Sequence, residues 1–169
     1  MKFRSQMKAE THYSLQDLFG IAIKAEIEAQ EIYTKISTYT RNFVLKEKMR
    51  FMASEEEKHE SILRGLFKQK FAGAEPVIPQ ETVAPVPGWK PDEGGNVSEV
   101  LKSAMQTELD AKSFYEAMAE RIAEPKAQSM LKYMAAMEQT HYHLLETEYN
   151  AAMEIEDYDR FDPAVHWGA

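Results

Sequence analysis

The sequence predicts an all-α protein, a four-helix bundle built from two repeated helix hairpins that a long proline-rich crossover joins. Three observations predict this class: the chain repeats itself at a fixed offset, its apolar residues recur at helical spacing, and only 7 of its 169 residues are glycine. Good helix formers such as alanine, glutamate, lysine, methionine and leucine are abundant. The length suits one continuous core, so we predict a single domain over residues 1–169.

The internal repeat aligns two helical segments and the turn between them without a gap. The offset is 82 residues, and the matched positions include Glu26 with Glu108, Tyr33 with Tyr115, Glu56 with Glu138 and His59 with His141. Each copy is one supersecondary unit that must find its partner to bury its apolar face. We place repeat one at about residues 14–69 and repeat two at about residues 96–152, followed by a short C-terminal tail.

Each helix has a recognisable start. The first is predicted near residues 14–39, where Ser14 and Asp17 have the spacing of a capping box, and the second near residues 42–69. The third, near residues 96–122, begins with Asn96 and Glu99 at the same spacing. The fourth, near residues 125–152, has Pro125 in its first turn, the position that proline favours.

The segment between the repeats, about residues 71–95, is predicted to be a linker. It holds five of the seven prolines, which favour extended chain over helix. At roughly 3 Å per residue, the linker can run past a helix of about 40 Å. It is therefore predicted to cross over the length of the bundle rather than to form a hairpin loop.

Charge and composition exclude several classes of function. A net charge of −8 argues against nucleic-acid binding, which depends on lysine and arginine clusters. The chain has no cysteine, so disulfides, thiolate catalysis and cysteine-ligated metals are excluded, and any metal must be held by oxygen and nitrogen. No apolar run approaches the roughly 20 residues of a membrane span. The basic start lacks the apolar core of a signal peptide, so we expect a cytoplasmic protein.

The spacing of apolar residues shows which charged side chains face inward. In the second helix the buried stripe steps by four and three through Leu45, Met49, Met52, Glu56, His59, Leu63 and Leu66. Glu56 and His59 therefore interrupt an apolar stripe. The stripe of the fourth helix contains Glu138 and His141, and those of the first and third helices contain Glu26 and Glu108.

Four buried carboxylates require positive charge. Burying one ionised carboxylate costs several kcal/mol, so four would rival the roughly 5 to 15 kcal/mol by which a domain is stable. No lysine or arginine occupies the four stripes at that level, whereas two divalent ions would neutralise four glutamates. Partly exposed residues at a loosely packed seam would explain one glutamate, but not six positions in register. We therefore predict a metal site.

The two inward-facing glutamates and the two Glu-x-x-His motifs form a known ligand set. Ferritin-like di-iron carboxylate proteins use one glutamate from each of two helices and Glu-x-x-His from each of the other two. On these motifs, and on the segments AEIEAQEIY and TELDAKSFY, the chain resembles the rubrerythrin family over about residues 14–152. The resemblance implies a ferritin-like bundle. It also implies that Glu56 and Glu138 bridge two metals, that Glu26 and Glu108 are terminal ligands, and that His59 and His141 ligate one metal each.

The resemblance implies two iron ions as the cofactor. Oxygen-rich ligation with one imidazole per ion also suits manganese, and zinc could occupy the site in vitro. Because it has no cysteine, the chain is a form without the rubredoxin-like module of the family, and its electrons must come from a separate donor protein. The family's extra carboxylate one turn after the first glutamate of the third helix is replaced by Ala111 and Lys112, which weakens the transfer of its peroxidase activity.

Three functions follow as hypotheses. The first is a non-haem di-iron oxidoreductase that reduces hydrogen peroxide or dioxygen at a diferrous site. The second is a ferroxidase or an iron storage and buffering protein, and the third is a non-catalytic interaction module that metal holds together. In the first hypothesis Tyr33 and Tyr115 are candidates to hydrogen-bond near the site or to pass an electron; the alternative is that they are core aromatics.

Each repeat supplies half of the predicted ligands. Two chains could therefore exchange helix pairs through the long linker and build two mixed sites, or each chain could complete its own site. We expect a homodimer in either arrangement.

Overall fold

A computed structural model describes residues 13–80, 96–155 and 157–160. Within this part of the chain there are four helices and no strand: α1 (Leu15–Tyr39), α2 (Phe43–Lys70), α3 (Val97–Glu120) and α4 (Pro125–Glu154). The predicted all-α four-helix bundle is confirmed, and every predicted helix end lies within two residues of the observed one. None of the helices described has the apolar length that a bilayer crossing requires.

Local hydrogen bonds explain where the helices begin. Ser14 and Asp17 form the predicted capping box, with the Ser14 N–H donating to Asp17 Oδ2 at 2.9 Å and the Asp17 N–H donating to Ser14 Oγ at 3.1 Å. The Asn96 side chain caps α3 by accepting from the N–H of Ser98 at 3.0 Å, rather than from that of Glu99 as its spacing predicted. Pro125 occupies the first turn of α4 as predicted.

Two buried hydrophobic clusters show how the helices are arranged. The first cluster joins the beginning of α1, the end of α2, the end of α3 and the beginning of α4. The second joins the end of α1, the beginning of α2, the beginning of α3 and the end of α4. Helix α1 therefore runs antiparallel to both α2 and α3. The contacts between α1 and α2 form one hairpin, and those between α3 and α4 form the other.

The two clusters also place the ends of the linker. Phe67, near the end of α2, lies in the first cluster, and Val97, at the start of α3, lies in the second. The chain between them must therefore pass along the length of the bundle, in agreement with the predicted crossover. Residues 81–95 of the linker lie outside the described residues.

The described part of the linker passes close to α1. A Cβ atom added to Gly20 would collide with the carbonyl oxygen of Val77 and would lie 3.1 Å from its carbonyl carbon. Since the obstacle is backbone, it cannot move away as a flexible side chain would. Glycine at this helical position therefore allows the linker to pack directly on α1.

Replacing Gly20 with alanine is expected to destabilise the protein by up to about 2 kcal/mol, the cost of overpacking less the gain in helix propensity. The gain in helix propensity, about 1 kcal/mol, is smaller than the 1 to 3 kcal/mol typical of overpacking. Gly65→Ala is the matched control, because a Cβ on Gly65 in α2 meets nothing within 4 Å, and it should stabilise by about 0.5 to 1 kcal/mol. Urea unfolding measures both free energies, and a Gly20→Ala variant as stable as Gly65→Ala would contradict the packing described here.

The C-terminal turn, residues 157–160, binds the turn between α1 and α2. The backbone oxygen of Asp159 accepts hydrogen bonds from the N–H groups of Arg41 at 2.7 Å and Asn42 at 3.0 Å, and from the Thr40 hydroxyl at 2.8 Å. The side-chain amide of Asn42 donates to the backbone oxygen of Tyr158 at 2.9 Å. These bonds attach the chain that follows α4 to the opposite hairpin.

Candidate metal centre

Six polar side chains lie buried between the two hydrophobic clusters, and each is at most 3% exposed. They are Glu26 on α1, Glu56 and His59 on α2, Glu108 on α3, and Glu138 and His141 on α4. The steps of three and four along each helix place them on the same face as the apolar residues above and below. The structure thus brings together all six ligands that the sequence predicts.

The six side chains converge on the two imidazoles. His59 Nδ1 lies 2.9 Å from Glu138 Oε1, 3.1 Å from Glu56 Oε2 and 3.5 Å from Glu26 Oε2. His141 Nδ1 lies 3.1 Å from Glu56 Oε1, 3.3 Å from Glu138 Oε2 and 3.7 Å from Glu108 Oε2. Each imidazole therefore faces three carboxylates through its Nδ1 atom.

The carboxylates divide into two kinds by their position. Glu56 and Glu138 each direct one oxygen towards His59 and the other towards His141. Glu26 approaches only the first imidazole and Glu108 only the second. The two rings are stacked, with centroids 5.5 Å apart and an angle of 28° between their planes. This division matches the bridging and terminal roles that the resemblance implies.

Several ligand atoms have no hydrogen-bond partner. Glu56 Oε1, Glu138 Oε1 and both ring nitrogens of His141 are buried, and none of them is hydrogen-bonded within the described chain, although their neighbours lie close. Unpaired buried polar atoms are costly, so native proteins rarely contain four in one place. One ligand atom from each of Glu56, His59, Glu138 and His141 lies within 4.8 Å of the others. The donor set therefore fits metal ions.

Burial controls the protonation of the terminal glutamates in the metal-free protein. It raises the pKa values of Glu26 and Glu108 well above the usual value, and the nearby carboxylates raise them further. No lysine or arginine within the described residues forms an ion pair with any of the four site glutamates. Without metal, protons therefore neutralise part of the site.

The two imidazoles and Glu138, in contrast, favour their charged forms. Burial favours a neutral His141, but the carboxylates of Glu108, Glu138 and Glu56, which lie 3.1 to 3.7 Å from its Nδ1, outweigh burial and raise its pKa to about 12. The pKa of His59 is raised by the corresponding carboxylates in the same way. Burial favours a neutral Glu138, but contact with both imidazoles lowers its pKa to about 2. Metal binding must displace the protons that both imidazoles hold.

The two candidate tyrosines lie in different surroundings. The Tyr33 hydroxyl donates a hydrogen bond to Glu108 Oε1, from the opposite hairpin. Burial, together with the glutamates around it, raises the pKa of Tyr33 well above its usual value, so it remains a neutral donor. Tyr115 is also buried, packs edge-on against Phe114 and makes no matching bond to Glu26 among the described residues. The structure thus places Tyr33 beside the site and Tyr115 in the first hydrophobic cluster.

The position of the family's extra carboxylate offers no ligand. Lys112 points away from the site and pairs with Glu116 at 2.9 Å. Ala111, beside it, packs against the first hydrophobic cluster. The ligand set around the two imidazoles therefore contains four glutamates.

The buried carboxylate of Glu148 was not predicted from the sequence. Glu148 is 1% exposed, forms an ion pair with Lys48 of α2 and accepts a hydrogen bond from the Tyr158 hydroxyl at 2.7 Å. The signal was present, because Glu148 continues the steps of three and four that run through Glu138, His141 and Leu145. It already has a cation as its partner, so Glu148 connects the two hairpins and is not a ligand.

Comparison with known proteins agrees with this geometry. The Rubrerythrin family profile matches residues 17–151. A solved structure of a hypothetical protein from Pyrococcus furiosus is similar to this chain, with a TM-score of 0.75 and 34% sequence identity over 87% of this chain and 95% of that one. None of the curated proteins matches the chain.

Proposed function

Since the chain belongs to the rubrerythrin family, we propose that it is a non-haem di-iron oxidoreductase that reduces hydrogen peroxide or dioxygen at a diferrous site. The observation that carries this proposal is the pair of buried carboxylates, Glu56 and Glu138, each of which faces both imidazoles. Such an arrangement suits two ions that share ligands better than one ion alone. Because the chain has no cysteine, the electrons are proposed to come from a separate donor protein.

The residues present fit two iron ions. Glu26 and His59 would hold one, Glu108 and His141 the other, and Glu56 and Glu138 would bridge them. Four carboxylates and two imidazoles suit manganese as well, and zinc in vitro. A bound pair of redox-active ions supplies electrons and Lewis acidity to the two oxygens of a small oxidant.

The protein's own contribution is to fix this set of side chains and to control protons. The six ligands are held by four different helices between two hydrophobic clusters, which exclude bulk water. The Tyr33 hydroxyl holds a proton at Glu108 Oε1. Reduction of peroxide consumes protons, so a neutral phenol at this carboxylate is placed to supply one.

Rapid mixing tests this proposal. Stopped-flow spectroscopy of the diferrous protein is expected to show much faster oxidation by hydrogen peroxide than by dioxygen, and repeated turnover when the protein is re-reduced. Tyr33→Phe should slow the peroxide reaction on the order of 100-fold at unchanged iron content, since it removes the proton donor. Tyr115→Phe is the matched control and should leave the rate within about twofold. Inertness to both oxidants would refute the enzyme and favour a metal-stapled interaction module.

A ferroxidase or iron-buffering role is the second candidate. It uses the same six ligands, and a net charge of −8 attracts cations to the surface. Iron uptake separates the two roles. Growth of a mineral well beyond two irons per chain would support storage, whereas saturation at two would support the oxidoreductase.

A homodimer is proposed as well. Each hairpin supplies three of the six ligands, so two chains could exchange hairpins without changing the site. Light scattering gives the mass of the assembly. Two metal-free variants, each lacking the ligands of a different hairpin, are then mixed. Complete metal sites form in the mixture only if the chains exchange hairpins, which distinguishes exchanged from self-contained sites.

A further inference from the structure

Two large aromatic side chains are exposed on the outer side of α2. Phe43 is 56% exposed and Phe51 is 51% exposed. At about 100° per residue, both lie on the side of the helix that faces away from its buried stripe, which contains Met52 and Glu56. Single exposed phenylalanines are common on protein surfaces, but two that share one helix face form an apolar patch. Nothing in the proposed reaction uses this patch.

The charges on this side of α2 cancel. Glu47 lies between the two phenylalanines, one turn from each, and Arg50 lies one turn beyond Glu47. Their side chains form an exposed ion pair at 2.6 Å. Such a pair contributes little to stability, so its members can exchange partners at little cost. We call the surface formed by Phe43, Glu47, Arg50, Phe51 and Ser54 the outer face of α2; its net charge is zero, whereas that of the whole chain is −8.

The balanced charge of the outer face of α2 favours a second copy of this chain as its occupant. Two chains of net charge −8 repel each other, so they approach most easily where the local charge is zero. A strongly acidic or basic partner would gain no attraction from such a face. In a twofold-symmetric contact each residue of a pair meets the other, so Glu47 can face the partner's Arg50 while Arg50 faces the partner's Glu47.

The spacing along α2 fits an antiparallel contact about such an axis. With the twofold axis midway between Glu47 and Arg50, Phe43 lies five and a half residues before the axis and Phe51 two and a half residues after it. An antiparallel partner places its own Phe51 two and a half residues before the axis. Phe43 and the partner's Phe51 are then three residues apart, or about 4.5 Å along the helices. Two phenylalanine pairs would therefore flank two ion pairs, whereas a parallel contact would oppose Glu47 to the partner's Glu47.

We propose that the outer face of α2 is the contact between two copies of this chain, packed antiparallel about a twofold axis. The inference gives the proposed homodimer its interface, and it rests on that proposal rather than on the oxidoreductase reaction. Exposed aromatic side chains beside an arginine are typical of the centre of protein–protein interfaces. The contact needs no exchange of hairpins, so each subunit can keep all six of its own metal ligands.

Truncation of one phenylalanine tests the apolar part of the contact. Sedimentation equilibrium of the iron-loaded wild type should give twice the chain mass of 19.4 kDa. Phe51→Ser should raise the dissociation constant of the dimer at least tenfold. Tyr133→Ser is the matched control, because Tyr133 is 55% exposed on α4, and it should change the constant less than twofold. Circular dichroism confirms that both variants keep their helices.

Exchange of the two charges tests the ion pairs. Glu47→Arg and Arg50→Glu each place like charges opposite one another across the twofold axis, so each variant alone should have a dissociation constant at least tenfold higher than that of wild type. An equimolar mixture of the two variants has opposite charges at both contacts, and it should form mixed dimers with an affinity within about threefold of wild type. The same recovery is expected of the double variant, in which glutamate and arginine have changed places.

The mass of the wild type separates the homodimer from its interface. A wild type that stays monomeric would overturn both. A dimer whose dissociation constant is unchanged by Phe51→Ser and by both charge variants would overturn the interface and leave the homodimer standing. Failure of the mixed variants to associate would overturn the opposition of Glu47 and Arg50 across the axis. Reaction with peroxide does not enter these measurements, so a failure of the oxidoreductase proposal remains distinguishable from a failure of the interface.

Discussion

Replacing Glu56 with alanine is expected to abolish binding of the metal pair, whereas replacing its neighbour Glu57 will leave metal content unchanged. The two residues are adjacent in α2, but Glu56 is 1% exposed and faces both imidazoles. Glu57 is exposed and lines a surface groove between α1 and α2. Replacing a residue that merely hydrogen-bonds to a metal ligand already costs about 10-fold to 100-fold in metal affinity. Loss of a shared ligand should therefore cost on the order of 100-fold or more, for both ions at once.

Metal analysis after equilibration with ferrous iron measures this effect. Wild type and Glu57→Ala should retain two irons per chain, and Glu56→Ala should retain fewer than one. Glu56→Gln is the isosteric variant that separates ligation from packing, because it keeps the volume of the side chain and removes the charge. It should bind iron as poorly as Glu56→Ala while unfolding at a temperature no lower than that of the metal-free wild type. A Glu56→Gln variant that binds two irons would contradict the bridging role.

Removing the metal is expected to lower the melting temperature by about 8 to 16 °C at pH 7. A ligand present at 1,000 times its dissociation constant stabilises the folded state by about 4 kcal/mol, and each kcal/mol shifts the melting temperature of a chain of this length by roughly 2 to 4 °C. The reason is electrostatic: four buried carboxylates with two imidazoles lose the cations that neutralise them. Calorimetry before and after chelation measures the shift. The Glu56→Gln variant provides the control, since chelation should leave its melting temperature unchanged.

The pH dependence of the metal-free protein follows from its raised pKa values. Glu26 and Glu108 have folded pKa values above their ordinary value of 4.5, and both imidazoles have folded pKa values above their ordinary value of 6.5. A raised pKa stabilises the folded state below the unfolded pKa, and the contribution is lost as the pH rises towards the folded one. The metal-free protein should therefore lose stability above about pH 4.5, where Glu26 and Glu108 retain protons in the folded state only, and more steeply above about pH 6.5, where the imidazoles do so as well, by about 1.4 kcal/mol per pH unit for each proton retained.

The metal-bound protein should behave in the opposite way over this range. Its ligands are deprotonated, so it has no protons to lose, and its affinity for metal should rise with pH. As the pH falls from 4.5 towards 2, Glu138 takes up a proton, and the metal-free protein loses the stability that this carboxylate contributes. Urea unfolding between pH 4 and 9, with and without metal, compares the two forms. Parallel pH profiles would contradict this account of the site.

The burial of the six polar side chains could be predicted from the sequence because they are part of the helical repeat. Glu56 and His59 occupy positions that the steps of three and four assign to the core, and the second hairpin repeats them. The helix ends were predictable for a similar reason, since Ser14 and Pro125 act on their own local backbone. Periodicity and capping are local properties, and they determine both which face is buried and where a helix begins.

Features that depend on contacts between distant segments could not be predicted. Glu148 is paired with Lys48, 100 residues away in the chain, and no local pattern connects them. Gly20 is in the middle of a helix, where nothing nearby indicates that the backbone of Val77 will pass over it. Tyr33 and Tyr115 occupy the same position of the repeat, yet within the described part of the chain only Tyr33 bonds to a glutamate of the other hairpin. Such differences arise from how the two hairpins pack together.

The unequal tyrosines have a consequence for the metals themselves. A duplicated hairpin would generate two equivalent halves, but here a phenol polarises Glu108 while Glu26 has no such donor among the described residues. A carboxylate that shares its charge with a hydrogen bond is a weaker electron donor to the ion it binds. In the proposed di-iron site, the ion that Glu108 would hold should therefore be the easier of the two to reduce. Mössbauer spectra of the fully reduced form would then show two distinct ferrous environments in a protein whose ancestry is symmetric.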